Sequence, residues 1–196
     1  MENKETKAER KVKILKTAGK IFAQYGLKKT SVDDIAKAVG LVKTSLYYYF
    51  ESKEELFQAV IKHESEKMIM KLQEAINNKS SPQEKLRAYF VTRMNYIKEL
   101  INLYQLTKTA AQELMPLIEK ERRLFFKAEK ALMLEILEEG SEKNIFGINN
   151  PEFTALAIIA SMRGLEPTLL LYQDRRLRVA DYDSMLNFLF HGILKT

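Results

Sequence analysis

Residues 31–50 contain two short apolar patterns separated by a glycine, and this spacing restricts the fold more than any other stretch. Ser31 and Asp34 stand three residues apart just ahead of an apolar run, which is the arrangement of a capping box at a helix start. The apolar positions that follow recur at helical spacing, at Val32, Ile35, Ala36 and Val39. Gly40 comes next, where a helix ends on a residue with positive φ. We therefore expect a short helix that stops at a tight turn.

A second short helix fits residues 43–50, with Leu46 and Phe50 on its inner face. Two short helices joined by a glycine turn form either a hairpin inside an all-α core or a helix-turn-helix, whose second helix lies in a DNA major groove. The outer face of the second helix carries donors and aromatic rings but no acid: Lys43, Thr44, Ser45, Tyr47, Tyr48 and Tyr49. Because a face that approaches phosphates excludes carboxylates, this composition favours the helix-turn-helix.

The positive charge of the chain is concentrated around this motif. The net charge is +6, and residues 1–50 hold 11 Lys and Arg against 5 Asp and Glu, whereas the remaining residues hold 21 of each. A charge that served only solubility would be spread along the chain. A local excess is typical of a segment that meets a polyanion, so it supports the DNA-binding interpretation, although basic N-termini are also common without that function.

These residues resemble the signature of TetR-type transcriptional regulators. The resemblance covers about the first third of the chain, from Ala18, Phe22, Gly26 and Thr30-Ser31, through Ile35-Ala36 and Gly40, to the run Leu46-Tyr47-Tyr48-Tyr49-Phe50 and Ser52-Lys53-Glu54-Glu55-Leu56. Two positions depart from the family pattern: Val42 stands where the family usually has a capping Ser, and Thr44 where it usually has Gly. Valine cannot cap through its side chain, so the second helix is capped from elsewhere or begins one residue away.

The resemblance implies a residue-level interface with double-stranded DNA. We expect base contacts from Lys43, Thr44, Ser45 and Tyr48. We expect phosphate contacts from Thr30, Ser31, Tyr47, Tyr49 and Lys53, the last matching the family's phosphate-contacting lysine at the first turn of a long helix. The residues before the motif, 4–13, form a basic arm that either touches DNA or is an ordinary solvated face.

The whole chain reads as helical, because apolar residues recur at spacings of three and four and no stretch alternates as a strand would. We predict an all-α fold of about nine helices. One begins at Pro116 and runs to residue 139, and the last spans 181–194 after a basic loop over 173–180. The fold would comprise an N-terminal three-helix domain in residues 1–52, a connector helix over 53–77, and a C-terminal ligand-binding and dimerisation bundle over 78–196. The break between the last two is the polar stretch 77–82, which ends in Pro82.

The sequence offers no catalytic constellation. Neither His63 nor His191 has a Glu three residues before it, as a di-iron bundle requires, and the chain has no cysteine, phosphate loop or nucleophile elbow. We therefore expect a non-enzyme with no cofactor and no metal. The charged N-terminus and the absence of a long apolar run predict neither a signal peptide nor a membrane segment, so we expect a cytoplasmic protein.

By the same resemblance, the protein is expected to form a homodimer through residues 151–172 and 181–194, and to bind a palindromic operator. Apolar residues on these segments exceed what one small core needs; they are Ala155, Ile159 and Met162 on the first and Met185, Phe188 and Leu189 on the second. The alternative is that both segments are buried within one subunit. Two reading helices about 34–36 Å apart would multiply the specificity of one.

The middle helices are expected, again by resemblance, to hold a small and largely apolar effector that releases the DNA. Candidate lining residues combine flexible methionines, aromatic rings and two arginines: Tyr89, Arg93, Met94, Tyr96, Tyr104, Met115, Phe125, Met133, Met162 and Arg163. Each could equally be core packing. Arg93 and Arg163 fall on apolar helix faces, where either an internal acid (Glu113 or Glu166) or an anionic ligand would offset the charge, and internal pairing is the simpler expectation.

Two further functions stay open on the sequence alone. A DNA-binding architectural protein would dock a protein partner on its C-terminal part and take no small molecule, and it would show an exposed apolar patch in place of an enclosed pocket. A helical-bundle enzyme would need a tightly bound metal that the sequence does not predict. We prefer the ligand-responsive DNA-binding repressor.

Overall fold

The computed structural model describes residues 6–104, 107–172, 184 and 186–188. Seven helices lie within these residues: α1 (Lys7–Lys29), α2 (Val32–Ala38), α3 (Lys43–Tyr47), α4 (Lys53–Asn77), α5 (Pro82–Tyr104), α6 (Lys108–Glu142) and α7 (Pro151–Tyr172). Ser184 and residues 186–188 are helical as well. Most of the predicted helix over 181–194, and the basic loop before it, lie outside the described residues. The all-α prediction is confirmed.

One described helix is longer than the sequence suggested. Pro116 was expected to start a new helix, but α6 runs through it without a break. Proline has a φ that suits a helix and removes only one hydrogen bond, the one its N–H would donate to Gln112. Both residues are exposed, so water can solvate the carbonyl that is left.

None of the helices in the described part of the chain is long and apolar enough to cross a bilayer.

The chain packs as two compact units. Unit 1 comprises residues 1–65 and 100–122, and unit 2 comprises 66–99 and 123–196. Residues 100–122, which the sequence analysis assigned to the C-terminal domain, therefore pack with the N-terminal helices. The predicted domain boundary after residue 52 stays a prediction, because a grouping by packing does not measure which parts of the chain fold independently.

Unit 1 encloses an apolar cluster to which α1, α2, α3, α4 and α6 contribute. Its buried members are Ile14, Leu15, Ala18, Phe22, Ile35, Ala36, Leu46, Phe50, Leu56, Phe57, Val60, Ala110 and Leu114. Phe22 and Phe57 meet edge to face, with ring centroids 5.4 Å apart. Burial of an aliphatic or aromatic side chain of this size stabilises a fold by about 1.5–3 kcal/mol. The cluster thus fixes the short helices α2 and α3, which are too short to be stable alone.

Helix α1 is interrupted near its end. Gly26 has φ 80° and ψ 169°, a backbone conformation that side chains with a Cβ rarely adopt. The helical hydrogen-bond ladder cannot continue through such a residue, so backbone groups around it need other partners. The helix resumes after Gly26 for about one turn and ends at Lys29.

In unit 2, α7 separates two faces cleanly. Its inner face is buried and includes Ala155, Ile158, Ile159 and Met162. Its outer face carries Phe153, Leu156, Ala157, Ala160 and Gly164, which are exposed and recur at helical spacing. The residues that the sequence analysis offered as surplus apolar surface on this segment are therefore the inner ones, and the exposed apolar stripe lies on the other side of the helix.

Candidate nucleic-acid interface

The candidate interface is built on α2 and α3, and α2 begins with the predicted capping box. The Ser31 hydroxyl accepts from the Asp34 N–H at 3.1 Å and donates to the Asp34 carboxylate at 2.6 Å, and that carboxylate accepts from the Ser31 N–H at 3.2 Å. These bonds hold the pKa of Asp34 below its ordinary value, with the Ser31 hydroxyl as the largest cause. The start of α2 is thus fixed by its own side chains, as the sequence predicted.

Gly40 ends α2 in the way its position indicated. Its φ is 73°, the Gly40 N–H donates to Lys37, and the Leu41 N–H donates back to Ala36 at 2.8 Å. This pair of bonds is a Schellman motif, which satisfies the last carbonyls of the helix. The motif turns the chain sharply into α3, so α2 and α3 pack against each other through Ile35, Ala36 and Leu46.

The second helix is shorter than the sequence suggested. It spans Lys43–Tyr47, with Val42 as an N-cap that makes no side-chain bond, and Tyr48 still has helical dihedrals. Tyr49 and Phe50 continue as a hydrogen-bonded turn onto the Leu46 carbonyl. Predicted residues 43–50 therefore split into a helix and a turn, because Phe50 and Tyr49 bend inward to pack against the core cluster.

The outer face of α3 is open to solvent. The side chains of Lys43 and Thr44 are exposed, as are Tyr47 at 43% and Tyr48 at 71%. Ser45 and Tyr49 are half-buried, and the Tyr49 ring meets the Tyr48 ring edge to face. Large aromatic rings with this exposure, beside a lysine and hydroxyls, form an amphipathic surface suited to a polar partner with apolar base edges.

The first turn of α1 adds positive charge to this face. The Lys7 ammonium lies 4.5 Å from the centre of the Tyr48 ring and donates to the Tyr48 hydroxyl at 3.2 Å. Lys11 lies over the Phe50 ring at 5.5 Å. The sequence marked residues 4–13 as a possible DNA-contacting arm, but it gave no sign of the Lys7–Tyr48 contact, which joins residues 41 positions apart.

Acidic side chains near the motif are engaged in local bonds. Glu9 accepts from both the backbone and the hydroxyl of Thr6. Asp33 pairs with Lys37 at 2.8 Å, and Asp34 is held by Ser31. Local pairing of these carboxylates reduces the negative field that they direct at a phosphate backbone.

Two predicted phosphate contacts have structural roles. Thr30 is only 3% exposed, and its hydroxyl donates to the Gly26 carbonyl at 2.7 Å. The Lys53 ammonium donates to the Thr30 carbonyl at 2.9 Å, which ties the start of α4 to the corner between α1 and α2. Of the nine predicted DNA-binding residues, Thr30 is thus the one whose side chain is not available to a partner.

The candidate effector residues divide between the units. Tyr89, Met94, Tyr96, Met133 and Met162 are buried in unit 2, where Phe125 is half-buried. Tyr104 and Met115 belong to unit 1. There the Tyr104 hydroxyl donates to Glu64, and burial is the main cause that raises the pKa of Tyr104. No structural observation groups these two with the unit 2 residues.

Arg93 and Arg163 meet in unit 2 on a shared carboxylate. Arg93 is fully buried and its Nε donates to Glu129 at 2.6 Å, while an Nη of Arg163 donates to the other Glu129 oxygen at 2.8 Å. The Tyr89 hydroxyl also donates to Glu129, at 3.3 Å, and burial with this neighbouring charge raises the pKa of Tyr89 well above its ordinary value. Helices α5, α6 and α7 are thereby linked by one cluster of ions.

Internal pairing of the arginines is thus present, but with an acid that the sequence analysis missed. Glu113 bonds elsewhere in unit 1, and the side chain of Glu166 lies outside the described ones. Glu129 could have been found from its register. It stands four residues after Phe125 and four before Met133, on a face of α6 that is otherwise apolar.

The short helix pair, its glycine turn and its basic, acid-free outer face define a helix-turn-helix protein of the DNA-binding class. The sequence profile of the bacterial regulatory proteins of the tetR family matches residues 14–60, which cover all of α2 and α3. Residues 14–60 therefore belong to the tetR family of bacterial regulatory proteins. Because the members of this family are regulatory proteins, the expectation of a non-enzyme is confirmed.

Known proteins share both the sequence and the fold. The transcriptional repressor KstR2 of Mycolicibacterium smegmatis is 30% identical over 136 residues, which are 68% of this chain and 65% of that protein. The chain thus matches slightly less than two-thirds of this relative's length. A transcriptional regulator from Cytophaga hutchinsonii has the same fold with a TM-score of 0.70, at 28% identity over 93% of this chain and 97% of that one.

A more distant structure shows a higher structural similarity. The regulator FadR of Bacillus subtilis, solved in complex with stearoyl-CoA, superposes with a TM-score of 0.78 and is 21% identical, over 92% of this chain and 98% of that one. At this identity the comparison establishes the fold alone.

Proposed function

We propose that this protein is a dimeric, ligand-responsive repressor of transcription that binds a palindromic operator through α3. The observation that carries the proposal is the outer face of α3, where Lys43, Thr44, Tyr47 and Tyr48 are exposed beside Lys7 and no acid stands among them. A helix placed this way after a Schellman turn fits the width of a major groove, about 12 Å.

The structure sharpens the division of contacts that the sequence suggested. Lys43, Thr44 and Tyr48 are the proposed base contacts, with Ser45 reaching the groove from a half-buried position. Ser31, at the start of α2, and Tyr47, at the end of α3, are the proposed phosphate contacts, with Tyr49 and Lys53 at the edge. Thr30 is left out because its side chain is buried.

The interface is tested by first selecting a preferred duplex from a random library with the wild-type protein. Lys43→Glu should then abolish binding of that duplex at physiological salt, since it places a carboxylate in the groove. Lys127→Glu is the matched control, because Lys127 is exposed in unit 2 and the change in net charge is the same. Equal binding by the Lys43→Glu variant and the control would show that α3 is not the reading helix.

For dimerisation, the exposed stripe of α7 is the proposed contact with a second copy. Phe153 and Leu156 provide apolar area, and the small residues Ala157, Ala160 and Gly164 let another helix approach closely. The space beside Gly164 is open, with no atom within 4 Å of a built Cβ. Phe188 is 84% exposed and lies in the second segment that the sequence assigned to the dimer.

Sedimentation equilibrium tests this assignment. The wild type should sediment as a dimer, and Leu156→Arg should shift it towards monomer because a charge on the apolar contact must be desolvated. Ala131→Arg, at an exposed position of α6, is the control. A wild-type monomer, or a dimer that Leu156→Arg leaves intact, would contradict the assignment of this face.

The proposed effector is a small, largely apolar molecule held in unit 2. Buried methionines and aromatic rings surround the ion cluster there, and methionine adapts to irregular apolar shapes. The FadR of Bacillus subtilis was solved in complex with stearoyl-CoA, which joins an apolar acyl chain of the expected kind to a polar, anionic coenzyme A group. Control of DNA affinity requires that the effector bind the two states of the protein with different affinities, typically by about 1–3 kcal/mol.

Native mass spectrometry of the purified protein, followed by titration with stearoyl-CoA, tests the effector. A dimer with a reproducible small adduct, or with stoichiometric bound stearoyl-CoA that releases the selected duplex, supports an apolar effector. A dimer that binds DNA but takes up no such molecule would favour the architectural alternative, in which the C-terminal part docks another protein.

A further inference from the structure

The interruption of α1 at Gly26 is met by Thr107, just before α6, and by Glu113 of α6, which belong to the same unit. The Ala23 carbonyl accepts from the Thr107 N–H at 3.1 Å, and the Gln24 carbonyl accepts from the Thr107 hydroxyl at 3.3 Å. The Lys28 N–H donates to the Glu113 carboxylate at 2.9 Å. Backbone groups on both sides of the break are therefore satisfied from outside α1.

The carboxylate of Glu113 lies close against Gly26. A Cβ built on Gly26 would lie 2.6 Å from one carboxylate oxygen of Glu113. About two turns earlier, a Cβ on Gly19 would lie 2.6 Å from the Tyr104 ring. Two glycines of α1 thus allow the close approach of the α5–α6 segment, and Glu113 is set against the break itself.

Beyond the break, contacts of Thr30 with Gly26 and Lys53 determine where α2 begins. The Thr30 hydroxyl donates to the Gly26 carbonyl at 2.7 Å, and Lys53 holds the Thr30 carbonyl from the start of α4. Ser31, the next residue, is the N-cap of α2. The Lys28 N–H that Glu113 binds lies three residues before Ser31. Glu113 therefore acts on the corner between α1 and α2, where the helix-turn-helix begins.

We propose that Glu113 is a positioning residue for DNA recognition, which fixes the α1–α2 corner through the Lys28 N–H without touching DNA. A charged acceptor bonds a backbone N–H more strongly than a neutral one does, so the contact suits a corner that must hold one geometry. A fixed corner lowers the ordering cost that α2 and α3 meet when they dock in the groove. The inference rests on the proposed function, because it concerns the specificity of the proposed reading helix.

The chain offers a matched set of variants. Glu113→Ala removes the acceptor, and Glu113→Gln keeps an oxygen at the same place. Glu121→Ala is the control, because Glu121 also lies on α6 in unit 1 and accepts a side-chain bond from Gln58 of α4, at 3.3 Å, away from the corner. Both alanine variants change the net charge equally, so non-specific attraction to DNA changes equally.

The decisive readout is the ratio of affinities for the selected duplex and a scrambled duplex of the same length. General destabilisation lowers the active fraction for both duplexes and leaves the ratio unchanged, whereas a misplaced reading helix lowers it. Loss of one bond to a charged group predicts a ratio about tenfold lower for Glu113→Ala. Glu113→Gln should recover most of it, and Glu121→Ala should equal the wild type.

Hydrogen exchange of the Lys28 amide, followed by NMR without DNA, tests the geometry independently. Exchange should be faster in Glu113→Ala than in the wild type and the Glu121→Ala control. An unchanged rate would overturn the bond itself. Faster exchange with an unchanged ratio would overturn the positioning role. A wild-type ratio near one would instead overturn the proposed function, and the positioning role with it.

Discussion

The two units place their charged side chains differently. In unit 1, Glu113 and Lys53 bond backbone groups at the ends and breaks of helices, at the edge of an apolar core. In unit 2, Arg93, Glu129 and Arg163 bond one another in the interior. Charged side chains thus fix helix ends in unit 1, where Glu64 is buried as well, and bond one another in the interior of unit 2.

We expect this difference to make unit 1 a rigid scaffold and unit 2 an adaptable one. A buried cluster of ions commonly stabilises a fold less than apolar side chains of equal volume would, since the charges must be desolvated. Unit 2 therefore forgoes stability in its interior, as expected of the unit proposed to take up an effector. Unit 1 satisfies its backbone at little cost in desolvation, as expected of a unit that presents one geometry to DNA.

The largest effect should follow from breaking the unit 2 cluster. Glu129→Ala removes the carboxylate that the guanidinium groups of Arg93 and Arg163 share in the interior of unit 2. This change should lower the free energy of unfolding, measured by urea denaturation, by about 3–5 kcal/mol. Glu138→Ala, at an exposed position of the same helix, should cost less than about 0.5 kcal/mol. A loss below about 1 kcal/mol for Glu129→Ala would mean that the cluster is solvated.

A combined replacement sharpens this result. Arg93→Met, Glu129→Leu and Arg163→Met together substitute apolar side chains for the ions. If the cluster forgoes stability, the triple variant should be about as stable as the wild type or more stable, in contrast to Glu129→Ala. A triple variant as unstable as Glu129→Ala would contradict the proposed difference between the units.

The next largest effect should appear at the break in α1. Gly26→Ala combines a backbone conformation that suits only glycine with a contact against Glu113, so it should cost about 2–3 kcal/mol. Gly40→Ala has a positive φ but open space around it, and should cost about 1–2 kcal/mol. Made in a Glu113→Ala background, Gly26→Ala should cost less than in the wild type. Additive costs in this double-mutant cycle would show that Glu113 does not crowd Gly26.

A smaller effect is expected from the cap of α2. Ser31→Ala should cost about 1 kcal/mol of unfolding free energy. The pKa of Asp34 should rise towards its ordinary value, because the hydroxyl that holds it down is gone. Since the folded pKa of Asp34 is depressed, its contribution to stability is present above the unfolded pKa and is lost as pH falls through the folded one. NMR titration of the Asp34 side chain measures this shift, and an unchanged pKa would contradict the capping box.

The smallest effect at neutral pH concerns one tyrosine in each unit. Burial is the main cause that raises the pKa values of Tyr104 and Tyr89, so both should stay protonated at about pH 10, where a tyrosine in a model peptide ionises. Their contribution to stability is complete below the unfolded pKa and is lost as pH rises above it. Ultraviolet titration should show these two ionising only with unfolding. Ionisation of all tyrosines in one reversible step would contradict their burial.

Short-range features of the fold and the site were predictable from the sequence. The Ser31–Asp34 box, the positive φ of Gly40 and the missing cap at Val42 follow from residue types within a few positions of one another. The helical pattern also predicted the all-α fold. At Pro116 the prediction was wrong, because an exposed proline interrupts only one hydrogen bond and α6 is long enough to continue.

Contacts between distant residues were not predictable in the same way. The Glu113–Lys28 bond joins positions 85 apart, and the Lys7–Tyr48 contact joins positions 41 apart. Neither leaves a periodic trace, since each uses a polar residue on a surface where many polar residues would fit. Glu129 is intermediate, because its register on an apolar face indicated burial but not which arginines it would meet.

The most direct test of DNA reading by α3 is a hydrogen-exchange footprint of the protein on its selected duplex. We expect the backbone amides from Ser31 to Lys53 to be protected from exchange, most strongly over residues 42–49. Weak protection is expected at the first turn of α1, where Lys7 lies beside Tyr48. We also expect that Lys43→Glu removes this protection while Lys127→Glu keeps it. Protection confined to unit 2, or absent from residues 42–49 in a complex that is demonstrably formed, would contradict the claim that α3 reads DNA.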